Sequence, residues 1–104
     1  MHSLLIVDDH AAVRAGLAAL VDAEPGLRVA ATAVDAQSAL TLAEEVRPTI
    51  AIVDFHLPGE DGLSLCLRLA ELRPRPGLVL YSAFADDLLA ALAAIAGADA
   101  LVPK

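Results

Sequence analysis

The chain has 104 residues, enough for one domain with a single hydrophobic core, and is 58% apolar but only 3% aromatic, so Ala, Leu and Val build that core. A formal charge of -7 argues against non-specific nucleic-acid binding, which needs clustered Lys and Arg. A single cysteine, Cys66, rules out an internal disulfide. No apolar run approaches the ~18 residues of a membrane span and the start lacks a signal peptide's pattern, so a cytoplasmic, non-membrane protein is expected.

Strand-like and helix-like stretches alternate along the chain. Leu4-Leu5-Ile6-Val7 reads as a strand and gives way to Asp8-Asp9. Residues 11–23 place Val13, Leu17, Leu20 and Val21 at helical spacing, and Glu24-Pro25-Gly26 stops that helix. A short strand over 27–34 precedes a second helix over 37–46, with Leu40 and Ala43 inward and Arg47-Pro48 as the break. Ile50-Ala51-Ile52-Val53 is the third strand and runs into Asp54, followed by the turn-rich Leu57-Pro58-Gly59-Glu60-Asp61-Gly62. The third helix is expected over 63–72. Its core stripe is Leu63, Cys66, Leu67 and Ala70, which makes Cys66 a buried thiol, and Leu65, Leu69 and Leu72 form a second apolar stripe opposite. A fourth strand over 78–81 ends at Ser82. A fourth helix over 86–96 is closed by Gly97, and a fifth strand over 100–102 precedes Lys104.

Short, almost wholly apolar strands separated by helices imply a parallel sheet covered on both faces. Ligands of such sheets bind in the crevice beyond the carboxyl ends of the strands. Asp8, Asp9, Asp54, Ser82 and Lys104 all fall there. Converging carboxylates repel one another unless a cation joins them, and Mg²⁺ takes a few oxygen ligands while keeping waters. Phosphoryl transfer needs little more than a nucleophile, a metal and donors for the phosphoryl oxygens. Asp54 is the candidate nucleophile, Asp9 with Asp8 the candidate metal holders, and Ser82 and Lys104 the candidate phosphoryl contacts. Acids after strands also cap helices, and Asp8 or Asp9 could do only that.

Taken together, Asp8-Asp9, the stretch from Asp54-Phe55-His56 through Asp61-Gly62, Ser82-Ala83, and Lys104 after Gly97-Ala98-Asp99 resemble the receiver domain of bacterial two-component response regulators. The resemblance covers essentially the whole chain. It implies a flavodoxin-like, doubly wound α/β fold with a five-stranded parallel sheet in the order 2-1-3-4-5. It also implies a phosphoacceptor at Asp54, a sensor histidine kinase as donor, and Mg²⁺ held by Asp9, Asp54 and the backbone carbonyl of His56, with Asp8 assisting. Phosphorylation would be read out through Ser82, Ala83 and the fourth helix, whose outer face of Ala90, Ala93 and Ala94 suits a homodimer contact. Such a domain is a switch, catalysing only its own phosphotransfer and dephosphorylation. His56 and Phe84, each two residues past a site residue, would influence how fast water reaches the acyl phosphate. His10 after the acidic pair and Val13-Arg14-Ala15-Gly16-Leu17 look most like regulators with a C-terminal LuxR-type helix-turn-helix, so DNA contact belongs to a separate domain.

The chain departs from the pattern in two places. Leu101 stands where receivers carry an inward-turning Tyr or Phe, and the sequence stops at Lys104, before the expected last helix and any effector domain. Two competing readings follow. A degenerate receiver would serve as a phosphorylation-independent dimerisation or docking module. A phosphohydrolase with an aspartyl nucleophile would need a second acid two residues after Asp54, where His56 stands.

Overall fold

The computed structural model describes residues 2–82 and 100–103. Its elements run β1 (His2–Val7), α1 (Ala11–Asp22), β2 (Leu27–Ala33), α2 (Ala36–Val46), β3 (Ile50–Asp54), α3 (Gly62–Leu69), β4 (Gly77–Ser82) and β5 (Ala100–Pro103). All four strand pairings are parallel, and the sheet order is β2-β1-β3-β4-β5, the doubly wound order expected from the sequence. The expected fourth helix lies outside the described residues.

Strand alternation sorts the side chains into two faces. Leu5, Val7, Ala51, Val53, Leu78 and Leu80 are completely buried and form one core with Ala39 and Ala43 of α2 and Leu65, Cys66 and Leu69 of α3. Burying a side chain of this size contributes about 1.5–3 kcal/mol. The other face holds Leu4 and Ile6 against Val21 of α1, with Leu17, Ile50 and Ile52 partly buried around them.

Two helices carry side-chain caps. Asp35 accepts from the Ser38 N–H at 2.8 Å and from its hydroxyl at 2.7 Å, and these bonds hold the Asp35 carboxyl below its usual pKa. Asp61 accepts from the Ser64 N–H at 2.8 Å. Both satisfy amide donors that the first helical turn leaves unpaired. At the start of α1 the cap position falls on His10, and it makes no side-chain cap bond.

The helix faces differ from expectation at two points. In α3 the buried stripe is Leu65, Cys66 and Leu69, whereas Leu67 is 51% exposed. Its two apolar stripes gave an ambiguous phase, which Gly62 resolves: pressed against the end of β3, it rotates Leu65 and Leu69 inward. Cys66 is buried, as expected. In α1 only Val21 is buried among the spaced apolar residues, and Leu20 is 68% exposed.

Candidate functional site

The parallel strands deliver their acids to one edge of the sheet. Val7 and Val53 pair in register, so Asp8 and Asp54 leave adjacent strands side by side. Both side chains are completely buried, while Asp9 stays 35% exposed. Ligand atoms from Asp8, Asp9, His10 and Asp54 lie within 4.8 Å of one another. That acidic group can hold a metal ion, and its carboxylate oxygens are hard donors of the kind that suit Mg²⁺.

Hydrogen bonds orient Asp8 and Asp54. Asp8 Oδ1 accepts from the His10 N–H at 2.7 Å, and His10 Nδ1 lies 3.0 Å from the same oxygen and 3.1 Å from Asp9 Oδ1. The exposed His10 ring therefore bridges the two adjacent acids. Arg14 Nη1 donates to the backbone carbonyl of Asp8 at 2.8 Å, tying α1 to the end of β1. Asp8 Oδ2 accepts from the Tyr81 hydroxyl. Asp54 Oδ1 accepts from the His56 N–H at 3.1 Å. Asp8 thus lies within the acidic group and makes no cap bond to α1.

The loop after β3 is held as tightly. The Gly62 N–H donates to the Phe55 carbonyl at 2.6 Å. A Cβ on Gly62 would stand 2.3 Å from the Asp54 carbonyl oxygen, so only glycine fits there. Gly59 turns the loop with φ +83°. His56 and Asp61 form a bridge across the loop, and Arg68 pairs with Glu60 at its rim. The His56 ring is exposed and meets Phe55 edge-on, with centroids 4.9 Å apart.

Tyr81 is the site contact that sequence reasoning missed. Burial first, then the bond to Asp8 and the charges of Asp8, Asp54 and Asp9, push its hydroxyl pKa well up, so it acts as a neutral donor. Its signal was its register, since it is the β4 residue paired with Asp54. Ser82 ends β4 and pairs with Pro103, while Leu101 pairs with Leu80 in β5. Ala83, Phe84 and Lys104 lie outside the described residues.

Against known proteins, the family model described as "Response regulator receiver domain" matches residues 4–104. The chain belongs to the response regulator receiver family. Among its relatives, this receiver is 33% identical over 104 residues to the DNA-binding transcriptional activator DevR/DosR of Mycobacterium tuberculosis, covering 100% of this chain and 48% of that protein. It is 32% identical over 87 residues to the transcriptional regulatory protein LiaR of Bacillus subtilis, covering 84% of this chain and 41% of that protein. A solved LuxR-family two-component response regulator from Aurantimonas sp. SI85-9A1 superposes with a TM-score of 0.94 at 31% identity, covering 100% of this chain and 74% of that one. The receiver thus spans less than half the length of these two curated relatives. Among its described residues, no helix is long and apolar enough to cross a membrane.

Proposed function

We propose that this receiver is a phosphorylation-dependent switch that accepts a phosphoryl group on Asp54 from a sensor histidine kinase. The observation that carries the reading is the completely buried Asp54 carboxylate, grouped with Asp8 and Asp9 at the end of β3. A carboxylate oxygen of Asp54 attacks the phosphorus of a phosphohistidine. The new O–P bond forms as the P–N bond breaks, and the departing imidazole takes up a proton. Attack by water on the same phosphorus later breaks the O–P bond, releasing inorganic phosphate and restoring Asp54.

Asp9, Asp54 and the His56 carbonyl would hold Mg²⁺, with Asp8 behind them. When bound, the ion neutralises charge on the phosphoryl oxygens beside the acids. The His56 N–H holds Asp54 Oδ1, and Gly62 keeps the loop against the strand end. Ser82 and Lys104 would contact the phosphoryl oxygens. Ser82, Ala83, Phe84 and Leu101 would carry the response to the stretch 86–96, expected from the sequence as the fourth helix, where a homodimer would form. The chain would catalyse only its own phosphotransfer and dephosphorylation. Regulation of transcription would come through DNA contacts made by another domain, in the cytoplasm.

Asp54→Asn should abolish acyl-phosphate formation from a small phosphodonor, measured as acid-stable, base-labile label. Label retained on the variant would sink the assignment. A chain that shows no Mg²⁺-dependent spectral response to beryllofluoride would instead fit the docking-module reading, which Leu101 favours. Sedimentation with and without beryllofluoride reads the dimer, and a strict monomer in both states would count against it.

A further inference from the structure

We propose that Tyr81 is a positioning residue for the acidic group: its phenol, reaching across β3, clamps Asp8 Oδ2 and fixes the rotation of that carboxylate. The proposal rests on the cation-binding part of the function set out above. β4 is not a neighbour of β1, because β3 lies between them. Two strand spacings amount to about 10 Å, so only a long side chain ending in a polar atom bridges them. Tyrosine meets that need. Tyr81 is 7% exposed and Asp8 completely buried, so the phenol O–H and the carboxylate each require a partner at this depth.

Both ends of the clamp are fixed. The Tyr81 carbonyl accepts from the Phe55 N–H at 2.9 Å, and its Cα is in register with Asp54. At the far end, the His10 N–H holds the other oxygen of Asp8 at 2.7 Å. The Asp8 carboxylate is therefore gripped from both sides, and its plane is set before any cation arrives. One residue thus links the ends of three strands, through its backbone to β3 and its hydroxyl to β1. Groups that hold metal-site carboxylates in this way typically set affinity by about 10- to 100-fold.

The test measures Mg²⁺ affinity by calorimetry in the full chain and in Tyr81→Phe, Asp8→Ala and the double variant. Phenylalanine keeps the ring and deletes only the hydroxyl. Tyr81→Phe should weaken Mg²⁺ binding about tenfold. Once Asp8→Ala has removed the clamp's target, the same change should alter affinity by less than about twofold. Wild-type affinity in Tyr81→Phe, or an equal loss in both backgrounds, would overturn the positioning role while leaving the cation site standing. A wild-type chain that binds no Mg²⁺ would overturn both. Tyr81 is the only tyrosine and there is no tryptophan, so a second readout needs no substitution. Mg²⁺ should change tyrosine emission with the calorimetric midpoint, and unchanged emission during saturable binding would refute the contact.

Discussion

The amino and carboxyl edges of the sheet both place polar groups between β1 and β3, yet they treat charge in opposite ways. At the amino edge Ser3 and Thr49 answer each other. The Ser3 N–H donates to Thr49 Oγ1 at 2.9 Å, the Thr49 N–H donates to the Ser3 carbonyl at 2.9 Å, and the Thr49 hydroxyl donates to the same carbonyl at 3.1 Å. The Ser3 and Thr49 groups that meet there are amides, carbonyls and hydroxyls, and donors match acceptors. At the carboxyl edge Asp8 and Asp54, both completely buried, share a small volume with Asp9. Like charges gathered out of water are costly and attract a cation. The amino edge holds the strands together, and the carboxyl edge gathers acids that can hold a cation.

Substitutions at the two edges should separate these roles. Gly62→Ala has the largest expected effect, because the new methyl meets the Asp54 carbonyl at 2.3 Å and backbone must move. It should cost about 3 kcal/mol in chemical denaturation and also block phosphoryl acceptance. Loss of stability with normal labelling would mean that the position of Asp54 is not set by this contact. Next comes the cation itself. Mg²⁺ at about 100 times its dissociation constant should stabilise the wild type by about 2.7 kcal/mol. Asp54→Asn should be stabilised little or not at all, since it lacks part of the charge that recruits the ion. Equal stabilisation of both would move the cation away from this edge. Thr49→Val at the amino edge should cost about 1–2 kcal/mol by stranding the Ser3 N–H, with Mg²⁺ affinity unchanged. A shift in affinity would show that the edges are coupled through β1 and β3.

Much of this contrast was legible in the sequence. Apolar runs of strand length that each end in a chemically active residue placed Asp8, Asp9 and Asp54 at one edge, because parallel strands share a direction. The strand order came from the family resemblance and holds in the structure. What stayed hidden needed a neighbour across the sheet. Tyr81 reaches Asp8 over an intervening strand, a contact that depends on order and register together. The phase of α3 was hidden for a related reason: its apolar residues fit two stripes, and a contact between Gly62 and β3, distant from periodicity, selects Leu65 and Leu69. The bridging ring of His10 also stayed hidden, because only its distances to both acids show it.

The smallest expected effect tests whether every acid at the carboxyl edge belongs to the site. Asp61 lies in the same loop system, bridged to His56, but its carboxylate caps α3 through the Ser64 N–H at 2.8 Å. Its backbone is extended, with φ -85° and ψ 163°, as a cap residue requires. Asp8 differs: α1 begins without a side-chain cap although two acids precede it, and Asp8 faces Tyr81 and His10. Asp61→Ala should therefore cost about 1 kcal/mol and leave Mg²⁺ affinity within about twofold of wild type. Asp61→Asn should restore most of that stability, because an amide oxygen caps as well as a carboxylate. Asp8→Asn should instead weaken Mg²⁺ binding, because its negative charge serves the acidic group. If Asp61→Asn lost Mg²⁺ affinity as Asp8→Asn does, the cap and the cation site would not be separate, and the carboxyl edge would have to be treated as one charged unit.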